Sequence, residues 1–99
     1  MSVYRLSRKA AKDLLDIARF TQEKWGSEQA VKYVRELRAV CQLLADRPAL
    51  GRFVHKDRPK LRRMEVGSHV VFFREDGEGI FVQRILHKAM VPGLYGLPR

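Results

Sequence analysis

The chain has 99 residues, 45% of them hydrophobic, with 20 Lys and Arg against 11 Asp and Glu and a formal net charge of +9. That apolar fraction excludes wholesale disorder, and the length excludes more than one ordinary domain. One cysteine, Cys41, excludes a disulfide framework and a cysteine-rich zinc site, while the surplus positive charge favours an anionic partner: nucleic acid, an acidic protein or an anionic membrane surface.

Val3, Tyr4 and Leu6 form a short β-prone run, read as a first strand. Ser7 follows as a helix N-cap, its hydroxyl placed to accept from the free amides of the next turn. From Arg8 the apolar positions Ala11, Leu14, Ala18, Thr21 and Trp25 keep helical spacing, widened by Leu15 and Ile17. Gly26 suits the left-handed residue that ends a helix. Ser27 is the next N-cap, with Glu28 in the first turn where the helix dipole favours a negative charge. Ala30, Val34, Leu37, Cys41 and Leu44 then give the strongest periodic signal in the chain, and Pro48 stops that helix near residues 45–47. Two helices joined at Gly26-Ser27 make an antiparallel hairpin. Both stripes are too wide to be satisfied by each other, so each also covers a sheet.

Residues 49–60 read as a connector. The stretch 52–63 holds Arg52, Lys56, Arg58, Lys60, Arg62 and Arg63 against Asp57 alone. Leu61 to Val66 is a strand, Gly67-Ser68 a tight turn, and His69 to Arg74 a near-continuous apolar run fit for a central strand. Residues 75–79 carry two glycines and read as a hairpin loop. Ile80 to Leu86 is the returning strand. The tail, residues 89–99, has two prolines and two glycines and is expected to lack regular structure. The expected fold is α+β: β-α-α-β-β-β, a helical hairpin packed on a small, mostly antiparallel sheet, in one domain spanning 1–88 with a C-terminal tail, 89–99.

Little in the sequence has the spacing of a chemical site. His55, His69 and His87 share no metal-ligand spacing, and no Gly-rich phosphate loop is present, so no metal or cofactor is expected. Ser7 and Ser27 are caps by context. Cys41, Trp25 and Tyr33 fall at helical spacing, where core or interface packing is the plainer reading. A charge-rich loop is ordinarily just solvated, but neighbours on a strand point to opposite faces, so one of Arg62 and Arg63 must face the helices or a sheet edge and needs an anion there. Arg84 is either a buried ion pair or a functional cation. His87, at the end of the last strand, is either a hydrogen-bonded structural residue or a general acid or base. Absence of a leader-like run near Arg5, Arg8 and Lys9, and of the ~20 apolar residues a spanning helix needs, leads to the expectation of a cytoplasmic protein with no membrane partner.

The segments YRLSRKAAKDLLDIARFTQEKWG, QAVKYVREL, LLADRPALGR, LRRMEVGSHVVFFRE and RILH together resemble the ParE branch of the RelE/ParE superfamily of bacterial toxin–antitoxin operons, over residues 4 to 88. The resemblance implies the same β-α-α-β-β-β order. It implies a toxin that inhibits DNA gyrase, stalls it on cleaved DNA and is not itself a hydrolase. It also implies a ParD-like antitoxin, with a toxin–antitoxin hetero-oligomer and the toxin alone a monomer or dimer. The alternative, from the RelE branch, is a ribosome-dependent mRNA endoribonuclease working through a basic cluster, for which Lys56, Arg62, Arg84, His87 and Tyr95 are the candidates, with Arg62, Arg84 and His87 foremost.

A chain this short has one small sheet to cover the apolar surface of two helices, and leftover apolar patches mark partner sites. Leu14, Ile17, Phe20, Val31, Tyr33, Val34, Val40 and Leu44 are therefore the expected antitoxin groove. Arg62, Arg63, Arg84 and His87, with Met90, Leu94 and Tyr95 of the tail, are expected to serve function or antitoxin binding. The apolar tail residues imply that the tail packs on its own sheet or on a partner.

Overall fold

The computed structural model describes residues 2–93. Strand β1 (Val3–Leu6) leads into helix α1 (Arg8–Trp25), helix α2 (Ser27–Asp46) and a 3-10 turn at Pro48–Leu50. Four strands follow: β2 (Arg52–His55), β3 (Arg58–Val66), β4 (His69–Asp76) and β5 (Gly79–His87), then a 3-10 stretch at Lys88–Gly93. The sheet has the order β1-β5-β4-β3-β2, with β1 parallel to β5 and the other pairs antiparallel.

The class is the expected α+β hairpin-on-sheet, with one strand more than expected. The connector contains β2, because Arg52-Phe53-Val54-His55 alternates well enough to pair with β3 across a bulge between Phe53 and His55. A high charge count hid this edge strand, whose arginine, Arg52, lies over the sheet face toward Glu65.

Ser7 caps α1 as expected: its hydroxyl accepts the Ala10 N–H at 2.9 Å and donates to the Gln83 carbonyl at 2.7 Å. Ser27 does not cap α2. It is that helix's first residue, and Gly26, at φ 95°, serves both helices, its N–H donating to Gln22 and its carbonyl accepting from Ala30. A one-residue junction leaves no room for a separate cap.

The α1 stripe is rotated from the expected one. Ala10, Leu14, Ile17 and Thr21 face inward, while Leu15 and Trp25 are each 66% exposed. In α2 the buried set is Ala30, Leu37, Cys41, Leu44 and Ala45. These residues meet Val66, Val71, Phe73, Ile80, Val82 and Ile85 on one face of the sheet. The opposite face holds a smaller cluster of Leu61, Val70, Phe72 and Leu86, with Val54 and Val91 against it. The start of the tail is thus not irregular: Lys88–Gly93 winds into 3-10 turns that lay Val91 on the face the helices leave open. Gly79, at φ 151°, lets β1 approach β5; a Cβ there would collide with the Val3 backbone. Among the described residues no helix is long and apolar enough to cross a membrane.

Candidate functional site

Asp13 projects from α1 onto β5. Its carboxylate accepts Arg84 Nε at 2.8 Å and Arg84 Nη2 at 2.9 Å, a two-point fork, and the Ile85 N–H at 2.9 Å. A bulge makes this possible. Phe72 pairs with Arg84 but Phe73 pairs with Val82, so Gln83 is an extra residue in β5. Both side chains are nearly covered, 14% and 13% exposed, and the bond from Asp13 holds the Arg84 guanidinium even more firmly protonated than usual. Of the two expectations for Arg84, the ion pair is the one realised.

Beside this pair three side chains form a second network. The Tyr33 hydroxyl lies 2.7 Å from His69 Nδ1, accepts the Ser68 N–H at 3.2 Å and donates to the Val66 carbonyl at 3.2 Å. His87 sits directly across from His69 and meets it edge-on, ring centroids 5.4 Å apart. Burial first, and His87 second, push the His69 imidazole down to about 4, with the Asp13 charge opposing. Its ring is neutral at pH 7. Burial raises the Tyr33 phenol as well. His87 itself is exposed, and its Nδ1 accepts the Ala89 N–H at 3.1 Å.

Arg62 and Arg63 diverge as strand geometry requires. Arg62, opposite Phe73, lays its guanidinium 3.9 Å over the Phe53 ring and donates to the Gly51 carbonyl at 2.8 Å. Arg63, opposite Phe72, turns to the open face and reaches Glu65 at 3.5 Å. The same carboxylate is approached by Arg52 at 3.6 Å and Lys88 at 3.7 Å.

Among the described residues, Arg62 and Arg84 of the expected ribonucleolytic cluster are not brought together. Arg62 and Arg84 lie on strands separated by β4, about 10 Å apart at the backbone. Lys56 is exposed in the turn after β2, and Tyr95 lies outside the described residues.

The expected antitoxin groove also divides. Leu14, Ile17 and Leu44 are 5%, 7% and 0% exposed and face the sheet, so they are core. Tyr33, Val34 and Val40 are half-buried against that core. Phe20, 59% exposed, and Val31, 52% exposed, are on the surface, as are Leu15, Trp25 and Leu43. Lys24 Nζ sits 5.6 Å from the Phe20 ring and 5.7 Å from Trp25. Spacing alone did not separate the inner from the outer arc of α1, since both are apolar. Of the tail residues, Met90 is 42% exposed; Leu94 lies outside the described residues.

Comparison with known proteins points one way. The family model described as the ParE toxin of the type II toxin–antitoxin system parDE matches residues 4–92. Toxin ParE1 of Caulobacter vibrioides is 43% identical over 90 residues, covering 91% of this chain and 93% of that protein. Toxin ParE1 of Mycobacterium tuberculosis is 41% identical over 90 residues, covering 90% and 92%. Among solved structures, one titled as the chromosomal ParDE system of P. aeruginosa superposes with a TM-score of 0.72 at 27% identity, covering 88% of this chain and 96% of that one.

Proposed function

The chain belongs to the ParE toxin family of type II toxin–antitoxin systems, and from that premise we propose that it inhibits DNA gyrase, blocks replication in the cytoplasm and is neutralised by a ParD-like antitoxin. The observation that carries the proposal is the extent of the family match, residues 4–92, which takes in both helices, all five strands and the start of the tail.

Two features of the site favour a gyrase-directed toxin over a ribonuclease. Arg84, a foremost candidate for a catalytic cation, already has a carboxylate forked on it, and a cation neutralised in this way has little left for a phosphate in a transition state. Among the described residues, the titratable ring that meets His87 is the neutral His69. General acid–base chemistry needs donor and acceptor within hydrogen-bond reach of one reacting group.

For the antitoxin we propose the outer surface of the helical hairpin, now drawn through Leu15, Phe20, Trp25 and Val31 with Tyr33, Val34 and Val40 at its inner margin. An amphipathic, acidic partner segment would find apolar anchors and the ammonium of Lys24 there. The resulting particle is a toxin–antitoxin hetero-oligomer.

A supercoiling assay with purified gyrase tests the main claim. The expected result is loss of supercoiling and accumulation of cleaved DNA, with translation intact in cells. Cleaved mRNA on the ribosome, with gyrase unaffected, would replace this proposal by the RelE-like one.

A further inference from the structure

Among the described residues, the open face around Glu65 carries more cation than that carboxylate neutralises. Arg52, Arg63 and Lys88 converge on Glu65 at 3.6, 3.5 and 3.7 Å. Those separations exceed the roughly 2.7–2.9 Å of a well-made charge-assisted bond, which Arg84 and Asp13 do reach at 2.8 Å. Arg63 Nε is buried and has no hydrogen-bond partner among the described residues. Among the described residues, the cluster thus pairs three cations with one distant anion.

We propose that this cluster is a seat for a backbone phosphate of double-stranded DNA, held by charge and without base readout. The chemistry decides the kind of partner. An acidic peptide would need several apolar anchors, but Leu61, Val70, Phe72 and Leu86 beneath the cluster are 5%, 0%, 0% and 1% exposed, and Met90, at 42%, is a single exposed apolar residue near Lys88. A single strand would need a ring to stack on. Phe72 is covered, and Phe81 on the same face lies under the guanidinium groups of Arg5 at 5.6 Å and Arg74 at 4.9 Å. A duplex backbone asks only for fixed cations. Arg74, two residues from Phe72 on β4, extends the positive surface about 7 Å along the strand. The inference goes beyond gyrase inhibition, because it assigns the chain a DNA contact of its own.

The test uses the full chain and a labelled 20-base-pair duplex of arbitrary sequence, with no gyrase present, so that it stands or falls apart from the proposed function. Fluorescence anisotropy should show binding that weakens steeply between 50 and 200 mM KCl, roughly linearly in log–log form. The double variant Arg52→Ala/Lys88→Ala alters two exposed side chains. It should bind about ten-fold more weakly at 50 mM KCl and lower the salt slope by about 1. Glu65→Gln should act in the opposite direction and tighten binding a few-fold. The control Lys32→Ala/Arg35→Ala removes the same charge from α2. Equal weakening by both double variants would overturn the proposal in favour of diffuse charge. So would equal affinity for a polyglutamate peptide of matched charge, or no duplex binding at 50 mM KCl.

Discussion

Two carboxylates in this molecule meet arginine in different ways. Asp13 holds one guanidinium and one backbone N–H at hydrogen-bond distance in a nearly covered site. Glu65, half exposed, stands among three cations and bonds none of them closely. The first arrangement fixes helix to sheet, since a desolvated pair is costly to break. The second contributes little to stability, because solvent dilutes each contact, and among the described residues it leaves positive charge in surplus.

The largest effect should come from breaking the covered pair. Asp13→Ala takes the carboxylate from a partly buried guanidinium and from the Ile85 N–H, and should destabilise the fold by about 2–4 kcal/mol in urea unfolding. A loss below about 0.5 kcal/mol would put the two carboxylates in the same class. Next, Tyr33→Phe removes the hydroxyl that ties α2 to the β3–β4 turn through Val66, Ser68 and His69, and should cost about 1–2 kcal/mol by the same measurement.

Acid should act through the neighbour of the covered pair. The His69 imidazole is depressed from 6.5 to about 4 in the folded chain, so between those values the unfolded chain binds a proton that the folded one does not. The contribution of His69 is therefore complete above about pH 6.5 and is lost as pH falls toward 4. The unfolding midpoint should drop over that window, and in His69→Gln the drop should be shallower. The smallest effect belongs to Glu65→Ala, within about 0.5 kcal/mol of the parent. A larger loss would mean that the open-face cluster is a fastener as well.

Much of the fold could be read from local patterns. The helical hairpin, the cap at Ser7, the stop before Pro48 and the apolar β4 all follow from spacing and from residue types that act within a few positions. What local pattern missed was contextual. Strand β2 was concealed because alternation in RFVH is outweighed by the charges around it. The inner arc of α1 runs through Ala10 and Ile17 where spacing points to Ala11 and Ala18, Trp25 at the end of the expected stripe is exposed, and Leu14, Ile17 and Leu44 of the expected groove are core.

The candidate site was less legible than the fold. Arg62, Arg63, Arg84 and His87 stand out in the sequence as polar residues on or at the end of expected strands, and all four lie on β3 or β5. Their fates differ by contacts that no spacing encodes. Arg84 meets a carboxylate 71 positions away, Arg62 finds the Phe53 ring, and Arg63 turns to the open face.

The sequence by itself determined the helices, the order of the main strands, the charge and the family resemblance, because each depends on residues near one another in the chain or on totals. Only the tertiary structure decided which cation is neutralised and which is left in surplus. An ion pair's worth depends on burial and on separations of a few ångströms, and here those are set by a one-residue bulge at Gln83 that brings Arg84 and the Ile85 N–H under Asp13.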